Sequence, residues 1–314
     1  MRRKRTIIKK NFSRYERDRD SEIGKKVSYP SCWEELNREQ LLFIIRQGLR
    51  LIAGETSVLE FKVLVFYHLA GIKRGRKHNR RDKFLTREEY EQKYGNVVLA
   101  AETVSFMFAE MDGELVFNFD CVTNLLPTVR IGREVFHGPD TALFNITFGE
   151  YQVADDYYRK YMESKDESDL NALCAVLYRP ARSGVESGDI REEFNPHVCL
   201  KRAGKFRKLS FEERFVILSW FSACDHYFKS GEIEIDGRLI SLAPLFKQAS
   251  DSGEEDNSEG LGLTGILLGI AENGVFGTVE EVKRTNLYSV LLRLYLWYLD
   301  NKRLEKMYAN GKSK

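Results

Sequence analysis

The chain has 314 residues, of which 43% are hydrophobic, 31% charged and 12% aromatic. This is globular composition, long enough to bury a core without staples, and it excludes wholesale disorder. Mean hydropathy is −0.40 and every apolar run is short, which argues against a membrane-spanning helix. The opening MRRKRTIIKKNF holds no apolar stretch of secretory length, so a cytoplasmic protein is expected. Cys32, Cys121, Cys174, Cys199 and Cys224 are scattered and odd in number, the usage of reduced thiols.

The net charge of +2 is unevenly spread. Residues 1–28 hold eleven Lys/Arg and four Asp/Glu, a segment of +7 on a remainder of −5. This predicts a mobile basic arm over 1–28, followed by an N-terminal helical region with short strands over 29–140. A C-terminal helical region then covers 141–314. Six prolines and the mixing of elements favour one composite body across the division near 140. A second basic run, Lys73 to Arg81, lacks interleaved aromatics and reads as an exposed loop. The acidic run over 251–260 reads as a mobile loop.

Helix starts are marked by Ser/Thr-x-x-Glu at Ser31/Glu34, Ser57/Glu60, Thr86/Glu89, Ser210/Glu213 and Thr278/Glu281. In such a box each side chain satisfies a backbone donor that the first turn leaves orphaned. A first helix is expected from Cys32 to Ala53 and a second from Val58 to Leu69, stopped by Gly71. A third is expected from Arg87 to Met111, interrupted at Tyr94–Asn96. Strand alternation follows over 114–119, 129–136 and 145–148. Helices resume over 151–163 and 169–178. A polar segment, Pro180 to Lys208, precedes a helix over 211–228. Residues 231–240 read as a hairpin turning at Asp236-Gly237. The last elements are helices over 263–272 and 279–308. The fold class is thus mainly α, a multi-helix body with short β-hairpins.

Each chemistry-bearing motif also has a simpler role. His197-x-Cys199 and Cys224-x-His226 could be paired zinc ligands, but 224 and 226 sit in a helical pattern and point about 200° apart. Gly260-x-Gly262-x-x-Gly265 follows an acidic run, where a phosphate would be repelled, and reads as a lead-in to a helix. The pairs Asp155-Asp156, Glu192-Glu193 and Glu254-Glu255 read as solvent-facing. No nucleophile elbow or phosphate loop is present. The expectation is therefore no catalytic residue, no metal and no cofactor.

The segment Leu287–Leu299 is apolar or aromatic almost all round and, at 13 residues, too short to span a bilayer. Such a helix is central in its fold or covered by a partner. Tyr295, Trp297 and Tyr298, with Trp33 in the first helix, are the expected partner-binding residues. Arg2, Arg3, Lys4, Arg5, Lys9 and Lys10 are the expected electrostatic contacts of the arm.

Three passages carry a resemblance: Tyr29–Leu41 (YPSCWEELNREQL), Leu170–Pro180 (LNALCAVLYRP) and Phe215–Phe221 (FVILSWF). Together, over about residues 29–228, they resemble uncharacterised phage and prophage proteins of Bacteroidota that look like tail assembly chaperones. The resemblance implies a non-enzymatic factor, in the host cytoplasm or on the virion, that holds a helical client such as a tape-measure protein. It carries no functional residues. Self-association is a further expectation. The alternative is a nucleic-acid-binding protein of a phage or mobile element that uses the basic arm.

Overall fold

The computed structural model describes residues 6–8, 26–72, 86–185, 188–235, 237–247, 262–272 and 274–311. The basic run over 73–81, the acidic run over 251–260 and Asp236 lie outside these residues. So does most of the arm, including Arg2, Arg3, Lys4, Arg5, Lys9 and Lys10. Within the arm, β1 (Thr6–Ile8) pairs antiparallel with β2 (Lys26–Ser28). The fold is mainly α with short two-stranded antiparallel hairpins, and the chain forms two compact units that divide after Cys121.

In the first unit, α1 (Arg38–Ile52), α2 (Val58–Leu69) and α3 (Arg87–Ala101) precede a 3-10 turn, Glu102–Met107, and the hairpin β3 (Phe108–Met111) and β4 (Glu114–Phe117). Asn37 and Gln40 form a reciprocal capping box on α1, and Thr86 and Glu89 do so on α3. The expected helix from Cys32 is instead a 3-10 turn, Trp33–Glu35, broken at Leu36. Ser31 gives its N–H to Glu35 and not to a box with Glu34. The expected third helix also ends ten residues early. Asp112 and Gly113 both take positive φ, 53° and 82°, which folds 108–111 back as a strand. No break occurs at Tyr94–Asn96.

The core of this unit is aromatic. Trp33 is 3% exposed, with ring centroids of Phe119 at 4.7 Å, Phe106 at 5.7 Å and Phe117 at 6.2 Å. Phe61 packs edge-on against Phe108 and Phe117. Lys62 lays its stem over Phe108 and pairs with Glu102 at 2.6 Å.

In the second unit, the hairpin β5 (Thr128–Ile131) and β6 (Glu134–His137) is followed by α4 (Phe148–Ser164) and α5 (Glu167–Leu177). Then come α6 (Pro196–Phe206), α7 (Phe211–Ser230) and the hairpin β7 (Glu232–Ile235) and β8 (Arg238–Ser241). The chain closes with α8 (Ala243–Lys247), α9 (Gly262–Glu272), α10 (Val279–Arg284) and α11 (Leu287–Gly311). Helix α5 is the centre: every residue from Leu170 to Leu177 is buried, and α4, α6 and α7 pack around it.

Three expectations are corrected here. Residues 145–148 are not a strand: Thr147 makes a single bridge to Asn286 and caps α4. The polar segment 180–208 contains α6, started by the Asn195 side chain on Val198 N–H with Pro196 in the first turn. The final helix is two helices, because Asn286 leaves the helical path and its Oδ1 accepts Tyr288 N–H at 2.9 Å.

Gly48 sets the approach of α1 to the hairpin, since a Cβ there would stand 2.6 Å from the Phe117 ring. Gly48→Ala would gain about 1 kcal/mol of helix propensity. Phe117 is hemmed in by Trp33, Phe61 and Phe108 and cannot yield, so overpacking costs more, about 1–3 kcal/mol. Urea unfolding should therefore show a net loss of stability; a gain would show that the ring has room to move.

Candidate functional site: a buried arginine pair and a polar cleft

The second unit contains an unusual burial of charge. Glu150, Arg179 and Arg191 are 1%, 2% and 1% exposed. Glu150 stands in the first turn of α4, three residues after the cap Thr147. There its side chain turns inward instead of back to the cap. Arg191 Nη1 donates to Glu150 Oε1 at 2.7 Å. Arg179 Nη1 stands 2.8 Å from the same oxygen and its Nη2 donates to Oε2 at 3.2 Å.

The remaining donors are also satisfied. Arg179 Nε donates to Glu192 O at 2.7 Å and Nη1 to Val176 O at 2.9 Å. Arg191 clasps Asp189 through Nε at 2.8 Å and Nη2 at 2.9 Å. It also reaches Leu177 O at 3.0 Å and Asn145 O at 3.3 Å. The two guanidinium groups and the carboxylates of Glu150 and Asp189 cancel, so the group is buried without net charge. Burial opposes the charge on Arg191, but Glu150 and Asp189 outweigh it and hold the pKa above its ordinary value.

Backbone pairing brings these side chains together. Arg179 follows α5 directly and exchanges backbone hydrogen bonds with His137 at 2.7 and 3.0 Å. The loop after it closes on itself through Arg182 N–H to Ile190 O and Glu192 N–H to Pro180 O, both 2.7 Å. Glu192 then pairs with Arg202 of α6, and that hydrogen bond lowers its pKa.

A cleft of about 300 Å³ opens beside Arg191, walled by Asn124, Pro127 and Thr128, by residues 137–141 with Asn145, and by residues 188–191. The chain between its lining residues Thr141 and Asn145 is strained. Ala142 and Leu143 take φ of 52° and 60°, a conformation that costs a non-glycine residue about 1–3 kcal/mol. Three bonds hold it: Ala142 N–H to Val122 O at 2.8 Å, Tyr288 OH to Ala142 O at 2.6 Å, and Leu143 N–H to Asp140 O at 3.0 Å. Gly138 lies so close to Tyr178 that a Cβ would stand 2.6 Å from its ring.

A second polar group joins α4 to α7. Tyr151 OH donates to Asp225 at 2.5 Å, Lys229 pairs with Asp225 at 2.8 Å, and Arg159 pairs with Asp155 at 2.6 Å. Burial raises the pKa of Asp155 despite Lys229 and Arg159. Asp155 is therefore not the solvent-facing half of a carboxylate pair, as its neighbour Asp156 is. Burial likewise raises Tyr151, helped by Asp225, and pushes the Cys174 thiol up to about 12.

The residues predicted for partner binding fall in different places. Trp33 is core in the first unit and presents no surface. Tyr295, Trp297 and Tyr298 lie half-buried on α11. The root of that helix is covered: Leu287, Tyr288, Val290 and Leu291 are buried. It is also fastened by Leu287 N–H to Ile146 O at 3.0 Å and Asn286 Nδ2 to Phe144 O at 2.7 Å. Farther along, Leu296, Leu304, Met307 and Tyr308 are 51%, 50%, 70% and 72% exposed. Steps of eight, three and one residue keep these four on one face, within about a third of the circumference, with the exposed Asp300 between Leu296 and Leu304 on the same face. The sequence reading found the helix but missed this stripe, because it stopped at Leu299.

Cys224 is buried on α7 and His226 bonds Ser230 at 2.9 Å. Among the described residues, no three His, Cys, Asp or Glu side chains gather as a metal set. No described helix is long and apolar enough to cross a membrane. The chain matches no family model, no curated protein and no solved structure.

The network makes a sharp demand on Glu150. Glu150→Gln leaves two buried guanidinium groups without their shared counter-charge, which should cost about 3–5 kcal/mol. Denaturant unfolding of the variant measures this. A change below about 0.5 kcal/mol, ordinary for a surface site, would mean that water reaches the arginines.

Proposed function

We propose that the protein is a non-enzymatic assembly factor that holds a helical client against the distal face of α11. The observation that carries this reading is the stripe Leu296, Leu304, Met307 and Tyr308, exposed on a helix whose root is locked into the fold. The helix is about 37 Å long at 1.5 Å per residue. Apolar side chains aligned on one face of such a rod suit helix-on-helix contact. Tyr295, Trp297 and Tyr298 flank the stripe with polar tips and large apolar area, the make-up of interface anchors. Arg293 stacks on Trp297 at 5.8 Å and Lys302 on Tyr298 at 4.8 Å, so these rings are set between cations along the helix.

Binding of this kind needs no cofactor and no covalent step. The resemblance to phage tail assembly proteins suggests a tape-measure protein as the client and a host cytoplasm as the place.

The test is a pair of surface variants, Leu304→Glu and Met307→Glu. Both residues are exposed, so the unfolding midpoint should stay within the effect of about 0.5 kcal/mol typical of surface changes. Co-purification of a client from phage-infected cells, and any self-association seen by light scattering, should fall at least tenfold. Client binding should also persist in high salt, whereas phosphate binding would weaken steeply. Undiminished client binding by both variants would remove α11 as the contact surface.

A further inference from the structure

We propose that the cleft walled by Asn124, Pro127 and Thr128, by residues 137–141 with Asn145, and by residues 188–191 binds a cationic group, a primary ammonium or a guanidinium. The inference is independent of the α11 surface. At about 300 Å³ the cleft stands at the small end of ligand pockets. It suits a short alkyl chain with a charged head.

The guanidinium of the wall is already spent. Arg191 is its basic side chain, and all five guanidinium N–H groups are engaged: two by Asp189, one by Glu150, and the others by the carbonyls of Leu177 and Asn145. None of these five is left for a phosphate or carboxylate. The acceptors are not exhausted. Asp140 is exposed, and although it precedes a 3-10 turn its carboxylate caps nothing and enters no ion pair among the described residues. Asp189 retains 29% of its side-chain surface; its Oδ1 already accepts from both Nε and the backbone N–H of Arg191, and its Oδ2, which accepts from Nη2, has a further lone pair. The half-buried imidazole of His137 can accept through one nitrogen when neutral. With two carboxylates against one guanidinium, the wall carries one unbalanced negative charge, matched by a single cation.

These groups stand on fixed backbone. Gly138 is wedged against Tyr178, the Asn145 side chain accepts Asp140 N–H at 2.9 Å, and Ala142 is held on both sides by Val122 and Tyr288. A site ordered before its ligand arrives loses little entropy on binding.

The cation could be a free amine or the Lys/Arg side chain of another polypeptide. Isotope-labelled full-length protein would be titrated with agmatine, with the blocked peptide Gly-Arg-Gly and with inorganic phosphate, following the His137 and Asn145 resonances. Agmatine or the peptide should shift them saturably with a Kd of about 1 mM or tighter, and phosphate should not. Tighter binding of agmatine assigns the site to a free amine; tighter binding of the peptide assigns it to a partner's side chain. Asp140→Asn, whose side chain makes no hydrogen bond or ion pair among the described residues, should melt at the wild-type temperature and weaken binding at least tenfold. Unshifted resonances with both cations, equal binding of phosphate, or unchanged affinity in Asp140→Asn would each overturn the proposal.

Discussion

The carboxylate of Glu150 holds two guanidinium groups in a place shielded from solvent, and the second unit is arranged to make that tolerable. A buried ion costs several kcal/mol unless its partner and its remaining hydrogen bonds are all supplied. Here they come from four segments: the first turn of α4, the end of α5, the loop to Glu192 and the stretch through Asn145. Each segment must be in place for the charges to balance. The network therefore contributes less as a source of stability than as a condition on how the chain closes. Its removal at one point leaves charges that nothing else in the core can satisfy.

The same closure fixes what lies outside it. Arg191 forms the back of the cleft, and Asn145 belongs both to the network and to the rim. Between the cleft residues Thr141 and Asn145 the chain passes through the strained pair Ala142-Leu143, and the Ala142 carbonyl accepts the hydroxyl of Tyr288 on the first turn of α11. The buried charges, the cleft and the root of the last helix are thus one connected piece of structure. The distal part of α11 leaves that piece with apolar side chains on an open face, and this contrast between a locked root and an uncovered end underlies the proposed role in holding a client.

Much of the fold was legible locally. Thr86/Glu89, Ser210/Glu213 and Thr278/Glu281 are reciprocal capping boxes as the spacing indicates, because a cap is decided within four residues. The apolar run from Leu170 announces a central helix for a similar reason. What escaped depended on distant partners. Phe108-Ala109-Glu110-Met111 reads as the continuation of a helix until the turn at Asp112-Gly113 pairs it with β4. The buried side of α6 is limited to Cys199 and Phe206, too little apolar signal to stand out from a polar stretch. Glu150 is disguised as a capping residue, in a Thr-x-x-Glu whose glutamate serves the core. Arg179 carried a faint signal: a charge set directly after nine buried positions, Leu170 to Tyr178, needs a buried partner. Asp155 and Asp156 look like a solvent-facing pair, yet adjacent helical residues point about 100° apart, so one of them can face inward.

Hydrogen exchange along the full chain tests the central claim most directly, since it reads the opening free energy of each segment. The account predicts the slowest exchange in α5, the first turn of α4 and the root of α11 through Leu291. Protection should then fall steadily from Leu296 to the end of the helix. Protection of distal α11 equal to that of its root would contradict the picture of an open docking face, and rapid exchange around Glu150 and Arg179 would contradict the locked network beneath it.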